Sequence, residues 1–582
     1  LETILKTVVD RLAKINSRKI IGILYGFLFF VFIIVIRLFY LQIEQREELH
    51  FKGEHNFLKL EVLYPRRGNL LDCNNNLLAT NRPIFDLYWE GSGKQKLTQN
   101  QFDVFKKVLD IIGEDYKNKV GAIRRAEKNA KRICISKDIS FDKLCLISEQ
   151  CSDSSNLLII NRFRRLYPHK NFACHILGHL GKAEEEKLVG RYGLEKIFQD
   201  KLKGQAGYTL NVINSMGKKL EKIKTQNAEP GNDIKLTLDL KMQQIAEQSF
   251  EKDKAGAFIV MDPEDGAIRV LASFPTFDPN DFLNPISKKE WKEKFSVENP
   301  FLNRCTSALY PPASIFKLIT WSAGLEEEVI GEDSIIKCRG HIKFCGRKYG
   351  CVQRWGHGEL SCREAIAKSC NIHCFEIGKL LKIDQIADYA QRFGFGYKTK
   401  FLISDRDGLV PTSKWKMQQV GERWWGGETL SASIGQSYLL VTPLQVAKMI
   451  GAISRGFLVK PRLLESEEIE KDGLNLKTQT LDVLRDAMGM TVGSGTGRLL
   501  KRLKDFKIWA KTGTAQTTSL KKAKTNNRFL EHGWFASYFS YKDENPLVLI
   551  VLVERVGTAR PALLSARRFL ENYGKMRKRS SG

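Results

Sequence analysis

From Ile20 to Ile36 the chain runs without a single charge (IIGILYGFLFFVFIIVI). Arg37 can lay its stem along this surface and lift its charge out, so the apolar run extends through Leu41. At about 1.5 Å per helical residue that length crosses about 30 Å of hydrocarbon. Such a segment folds as one membrane-spanning helix. Lys6, Arg11, Lys14, Arg18 and Lys19 precede it and the mixed stretch Glu44–Glu48 comes after it. The bias of basic residues then places residues 1–19 in the cytoplasm, the helix at 20–41, and the remainder outside the cytoplasmic membrane in the periplasmic or equivalent space. A cleaved signal peptide is the alternative, but the run exceeds a usual signal core and has no small-residue cleavage site after it. No second run of spanning length occurs; Leu547–Val553 (LVLIVLV) has the length of a buried strand.

The portion beyond the helix is large enough to hold several cores. Hydrophobic residues make up 43% of the 582, which excludes disordered, collagen-like and small disulfide-stapled chains. The 93 basic and 66 acidic residues leave a net charge of +27, which suits nucleic acid, a membrane surface or an anionic polymer. The charge is spread along the chain with no basic arm, zinc-finger spacing or RNA-recognition signature, so nucleic acid is not the expected partner.

Tyr64–Asp72, the turn-rich Asn74-Asn75-Asn76 and Leu77-Leu78-Ala79 read as strand, turn and strand. Residues 94–150 read as polar helices with solvated lysine faces. His175 and His179 stand four apart, but no HExxH glutamate lies between them, which favours packing or a hinge over metal binding. Composition shifts at Glu229-Pro230-Gly231-Asn232. After it, Asp233–Leu238 alternates as a strand, Asp239 is placed to cap a helix through Phe250, and Ala257–Ser273 forms a hairpin turning at Pro263–Gly266. The domains expected are therefore 42–232, 233–575 and a short basic tail at 576–582, with no internal repeats.

Three short motifs carry chemistry. Pro311-Pro312-Ala313-Ser314-Ile315-Phe316-Lys317 sets a serine at a helix start and a lysine one turn later on the same side. A serine needs a base to become a nucleophile, and a lysine can serve once burial lowers its pKa. Alone the pair is weak, because Ser140, Ser215, Ser249, Ser334, Ser413 and Ser519 also have lysine three residues on. Order raises Ser314 above them: Ser369-Cys370-Asn371 comes next, and then Lys511-Thr512-Gly513-Thr514. Ser369 supplies a hydroxyl able to relay a proton, and Asn371 an amide for the substrate. On a strand over Phe506–Thr514, Lys511 would add positive charge. Thr512 and Thr514 would bind a carboxylate, while Gly513 would admit a peptide close to the backbone.

With these motifs the chain resembles the penicillin-binding proteins, most closely class B, whose anchor and non-catalytic pedestal precede a D,D-transpeptidase domain. Arg67-Gly68 with Asp72, Gly193-Leu194-Glu195, Phe277-Asp278-Pro279-Asn280 and Thr442-Pro443-Leu444-Gln445 carry the likeness. Arg354-Trp355-Gly356-His357-Gly358 and Trp424-Trp425-Gly426-Gly427-Glu428-Thr429 point within it to the penicillin-binding protein 2 group of cell elongation. Ser437 departs from the glycine many elongation enzymes have there, and Asn371 from an aspartate found in some. The resemblance implies an α+β fold: an elongated pedestal, then an antiparallel sheet covered by helices, as in serine β-lactamases. It implies acylation of Ser314 by a stem pentapeptide, Lys317 as base, an oxyanion hole from the N–H groups of Ser314 and Thr514, and inhibition by β-lactams. It also implies a RodA-type glycosyltransferase and an MreC-type scaffold as partners, and no organic cofactor.

Of twelve cysteines, seven lie between 305 and 374. Outside the cytoplasm such a cluster permits disulfides. Cys338, Cys351, His357 and Cys370 equally form a C-x12-C-x5-H-x12-C set with the ligands of tetrahedral zinc. Spacing leaves both open. Some penicillin-binding protein 2 relatives carry a structural zinc at matching positions, so the resemblance implies zinc here, with Cys345, Cys362 and Cys374 as alternates. A division-type transpeptidase, a carboxypeptidase or β-lactamase, and a non-enzymatic β-lactam sensor or wall-synthesis scaffold are the competing functions.

Overall fold

The computed structural model describes residues 2–47, 49, 57–115, 117, 119–151, 156–182, 188–213, 219–296, 299–516 and 530–580. By packing, the chain divides into two compact units. The first holds 1–66, 83–164 and 205–230, the second 67–82, 165–204 and 231–582. The pedestal expected over 42–232 is thus distributed between both.

In the first unit the helix Glu2–Phe39 passes into a π-helical turn at Tyr40–Glu44. Its span Lys19–Glu44 has a mean hydropathy of 2.7 and is long and apolar enough to cross a membrane. The residues ahead of the apolar run continue the same helix rather than forming a separate tail. Strands Leu58–Leu63, Gly207–Ile213 and Lys219–Gln226 form an antiparallel sheet with Gly207–Ile213 central. Residues 94–150 are not wholly helical: helices Gln99–Ile112, Val120–Lys128 and Phe141–Gln150 surround a strand, Arg132–Ile139. That strand pairs with Phe85–Glu90 and buries Ile135 against Trp89, Phe105 and Leu109. Its isoleucines at 133 and 135 alternate with polar positions, a period of two hidden among lysines.

The second unit is built on a five-stranded antiparallel sheet. Its order is Ile268–Phe274, Gly256–Met261, Leu547–Val553, His532–Tyr541 and Phe506–Ala515. Both faces are covered, which is why Leu547–Val553 is apolar throughout. Val548, Ile550 and Leu552 join one core with Trp321, Met449 and Ile450, while Leu549, Val551 and Val553 join another with Phe569 and Leu570 of the helix Arg560–Ser580. That helix runs through the start of the expected basic tail; residues 581–582 lie outside the described ones. The Gly256–Met261/Ile268–Phe274 hairpin forms as its turn residues predict, and Asp239 caps Leu240–Ser249 through the Met242 N–H. The strand expected over 233–238 is only Ile234–Lys235, paired in parallel with Leu70–Leu71. Beyond it Thr237 turns its hydroxyl to the carbonyls of Ile268 and Arg462.

The family-like motifs of the pedestal sequence meet inside this unit. Glu195, fully buried, accepts from Arg67 Nε at 2.7 Å, Arg165 Nε at 2.6 Å and the Tyr167 hydroxyl at 3.1 Å. Asp72 accepts from the N–H groups of Asn74, Asn76 and Leu240, closing its turn onto the helix that begins after Asp239. Asn280 brackets both backbone groups of Tyr167. His175 and His179 pack, as expected: His175 Nε2 lies 2.8 Å from the Pro300 carbonyl, and His179 stacks on Phe282.

Candidate active site

Ser314 sits in a 3-10 turn, Ala313–Ile315, directly ahead of the helix Lys317–Glu326. The two prolines before it bring a pre-set backbone into the turn. Ala313 is held at φ +47, a strained value for a residue with a Cβ, by its N–H donating to the Gly435 carbonyl at 2.9 Å. Gly435 has to be glycine, because a Cβ there would stand 2.1 Å from the Ala313 carbonyl oxygen. Ser314 is half-buried, and among the described residues no group holds its hydroxyl.

The strand Phe506–Ala515, at the sheet edge, passes close to this turn. A Cβ on Gly513 would stand 3.3 Å from Ile315 Cγ1, which accounts for the glycine expected to permit close approach. Two residues earlier, Lys511 points into the interior with no exposed surface. Lys317 is 1% exposed. The two ammonium groups converge on Ser369. Lys317 Nζ lies 3.2 Å and Lys511 Nζ 2.9 Å from Ser369 Oγ. Lys317 also donates to the Ser369 carbonyl at 2.8 Å and Asn371 Oδ1 at 2.6 Å, and Lys511 to the Thr512 carbonyl at 3.1 Å. Ser369 itself has φ +57, the second strained residue of the site.

Among the described residues no carboxylate pairs with either lysine. Burial therefore lowers the pKa of Lys317, against an opposing pull from the thiols of Cys374, Cys351 and Cys370. It lowers that of Lys511 further, with the Lys317 charge acting the same way. Thr512 Oγ1 meets Thr496 Oγ1 at 2.6 Å, and Thr514 is half-buried. Thr496 belongs to none of the three sequence motifs. Its only signal is a run of small residues, Ser494-Gly495-Thr496-Gly497, shortly ahead of the lysine strand.

The cysteine–histidine set closes on the same loop. The ligand atoms of Cys338, Cys351, His357 and Cys370 all lie within 4.8 Å of one another. Cys338 Sγ and Cys351 Sγ stand 3.5 and 3.6 Å from His357 Nδ1, and Cys351 Sγ 3.8 Å from Cys370 Sγ. No disulfide forms; all twelve cysteines are free. Zn–S bonds of about 2.3 Å and Zn–N bonds of about 2.0–2.1 Å give tetrahedral edges of about 3.8 Å between sulfurs and about 3.5 Å between sulfur and nitrogen. These three separations match those edges, so the residues fit a zinc ion. Cys345 is exposed, and neither it nor the buried Cys362 and Cys374 belongs to the set. Asn371 ties the catalytic loop to the cluster's other strand by donating from Nδ2 to the Gly350 carbonyl at 2.9 Å.

A half-buried serine at a helix start, a buried lysine one turn on, and a second buried lysine that meets the first at the Ser369 hydroxyl are the parts of a serine acyl transferase. The family model of the penicillin binding protein transpeptidase domain matches residues 256–570, and that of the penicillin-binding protein dimerisation domain matches residues 62–236. The chain belongs to the penicillin-binding proteins. It is 30% identical over 558 residues to the peptidoglycan D,D-transpeptidase MrdA of Acinetobacter baumannii, covering 90% of this chain and 82% of that one. Among solved structures it is similar to penicillin-binding protein 2 of Helicobacter pylori in complex with MreC (TM-score 0.75, 26% identity, 90% and 99% of the two chains). It is equally similar to a chain of a peptidoglycan synthase complex that coordinates polymerization and crosslinking (TM-score 0.76, 26% identity, 96% and 98%).

Proposed function

We propose that this protein is a peptidoglycan D,D-transpeptidase that cross-links stem peptides through an acyl-enzyme on Ser314, in the cell-elongation machinery. The observation that carries the mechanism is the Ser369 hydroxyl lying between two buried, carboxylate-free lysines. Ser314 Oγ attacks the carbonyl of the penultimate D-alanine while its proton passes to the neutral Lys317 amine. The N–H groups of Ser314 and Thr514 receive the negative charge that forms on the carbonyl oxygen. As the tetrahedral centre collapses, the C–N bond breaks and the leaving D-alanine nitrogen takes a proton through Ser369. Lys511 has no counter-charge of its own, and the substrate's terminal carboxylate, arriving beside the hydroxyls of Thr512 and Thr514, favours its protonated form and is held by it. An acceptor amine then attacks the ester, the bond to Ser314 Oγ breaks, and the proton the amine sheds passes through Lys317 to that oxygen as the new amide forms. A β-lactam acylates the same oxygen and stays.

The elongation role is supported by the likeness to MrdA and to the penicillin-binding protein 2 structures. The likeness to the two complexes supports an MreC-type scaffold and a partner that polymerises peptidoglycan, which the family resemblance makes a RodA-type glycosyltransferase. The basic flank supports an N-terminus in the cytoplasm, with the chain beyond the membrane-spanning helix outside it. Cys338, Cys351, His357 and Cys370 would hold a structural zinc. With four protein ligands the site is closed, and the metal would brace the loop of Ser369 and Asn371 without taking part in the reaction.

Fluorescent penicillin tests the acyl-enzyme. The full chain in detergent is expected to give a covalent band on a denaturing gel and Ser314→Ala none. A folded, unlabelled parent would leave a wall-synthesis scaffold as the better reading. Metal analysis of protein prepared without chelator is expected to give one zinc per chain, and a Cys338–Cys351 disulfide with no zinc would end the metal proposal.

A further inference from the structure

Between Ile335 and Gly358 the chain carries Lys337, Arg339, Lys343, Arg347, Lys348 and Arg354 and no acidic residue. This segment holds the antiparallel hairpin His341–Phe344/Arg347–Gly350 and three of the four cluster residues. Its two faces differ. Ile342, Phe344 and Tyr349 pack against the catalytic core, and Phe344 and the Tyr349 hydroxyl crowd Gly426 and Gly427 at the start of the helix Gly426–Ser433. Lys343 and Lys348 face each other across the hairpin and both are exposed.

Like charges directly opposite on paired strands are destabilising, and this segment has no carboxylate to offset them. Lys337 pairs with Glu359 and Arg347 lies over the Tyr349 ring, but among the described residues Arg339, Lys343, Lys348 and Arg354 make no ion pair. The hairpin is nonetheless tied to the active site, since its last carbonyl, that of Gly350, accepts from Asn371. Beside it Trp355 is 92% exposed. A large aromatic standing in water next to unpaired cations marks an interaction surface.

We propose that the cationic hairpin and Trp355 form a docking surface for the incoming peptidoglycan strand. Lys343, Lys348 and Arg354 would engage free carboxylates of its stem peptides, and Trp355 would stack on a sugar ring. This rests on the transpeptidase reading, which supplies an acidic peptide on a glycan as the second substrate. The hairpin is joined to the loop of Ser369 and Asn371 through the Asn371–Gly350 hydrogen bond, and its repulsion between Lys343 and Lys348 is relieved when an anionic strand arrives.

The test compares the full chain in detergent with the triple variant Lys343→Gln/Lys348→Gln/Arg354→Gln and with Trp355→Ala. Each is co-sedimented with purified sacculi, with sacculi whose stem carboxylates have been amidated, and with phosphatidylglycerol vesicles. Fluorescent-penicillin acylation is measured alongside as the readout of fold and active site. The triple variant is expected to lose about tenfold in sacculus binding, from three weak exposed ion pairs, with acylation unchanged. Amidated sacculi are expected to bind the parent as poorly as native sacculi bind the variant. Unchanged sacculus binding by the triple variant, or a loss seen only with vesicles, overturns the proposal. Absence of penicillin label on the parent instead overturns the transpeptidase reading, which is a separate result from the same preparation.

Discussion

Three lysines are almost completely buried in the second unit, and two regions treat them in opposite ways. Lys416, on the short helix Ser413–Gln419, donates to both Glu428 oxygens at 2.8 Å and lies 3.4 Å from Glu422. Burial pulls its pKa down, but the two carboxylates outweigh it and the pKa is raised. Lys317 and Lys511 receive only hydroxyl, amide and carbonyl partners, and both pKa values are lowered. The buried arginines Arg67 and Arg165 also have a carboxylate beside them, sharing Glu195, although burial still outweighs it at Arg67 and lowers that pKa. A buried cation with its carboxylate is a fastener. One without it is held ready to lose a proton or to take in a carboxylate from outside.

The sharpest way to break this comparison is to exchange the roles. Lys317→Ala should slow penicillin acylation by about 10³-fold, the middle of the range for losing a positioned base, with the protein still folded. Lys416→Met should do the reverse, lowering the thermal midpoint while the folded fraction acylates at the parent rate. Stopped-flow acylation and thermal unfolding on both variants check this. If Lys416→Met also abolished acylation, counter-charge would not separate the two classes.

Glu195→Gln should be next in size. It strands Arg67 and Arg165 in the interior, and removing one member of a buried ion network costs about 3–5 kcal/mol. Urea unfolding is expected to show that loss with the acylation rate of the folded protein unchanged. A loss below about 1 kcal/mol would place the network in the class of exposed pairs.

The pH dependence carries the same contrast. In the proposed mechanism neutral Lys317 is the base, so acylation should rise with pH, tenfold per unit, along a limb lying below the usual lysine value of 10.5. The sign for stability agrees. Between the lowered folded pKa and 10.5 the unfolded chain binds more protons, so rising pH through that window stabilises the fold. A limb centred at 10.5 would mean an unperturbed lysine.

Much of this is legible in the sequence because the catalytic groups sit at motif-defined turns. Ser314, Lys317, Ser369, Asn371 and Lys511 stand out by their order along the chain, and the folded chain brings Lys317, Ser369, Asn371 and Lys511 together. The zinc-type set is visible from spacing, but its closure into one cluster is seen only in the 3.5–3.8 Å separations. Spacing cannot show charge compensation. Ser413 and Lys416 have the same three-residue interval as Ser314 and Lys317, and only tertiary structure sets Glu428 beside one lysine and not the other. The strand Arg132–Ile139 escapes sequence reasoning for a related reason, its alternation being masked by a lysine-rich neighbourhood whose surface composition suits helices.

Thr496 escapes it too, because a lone threonine in a glycine-rich turn has no chemical signature until its partner is known. Its hydroxyl meets that of Thr512 at 2.6 Å, so it fixes the orientation of a group expected to bind the substrate carboxylate next to Lys511. Thr496→Val keeps the shape and removes the hydroxyl. Losing one hydrogen bond of about 0.5–1.5 kcal/mol should lower the second-order rate of acylation by about two- to tenfold, the smallest of these effects. Thr496→Ser restores the hydroxyl and should recover most of the rate. The loss should fall on substrates and β-lactams that carry the carboxylate and vanish for an ester that lacks it. An equal loss on the ester would make Thr496 a packing residue with no part in aiming the Thr512 hydroxyl at the carboxylate.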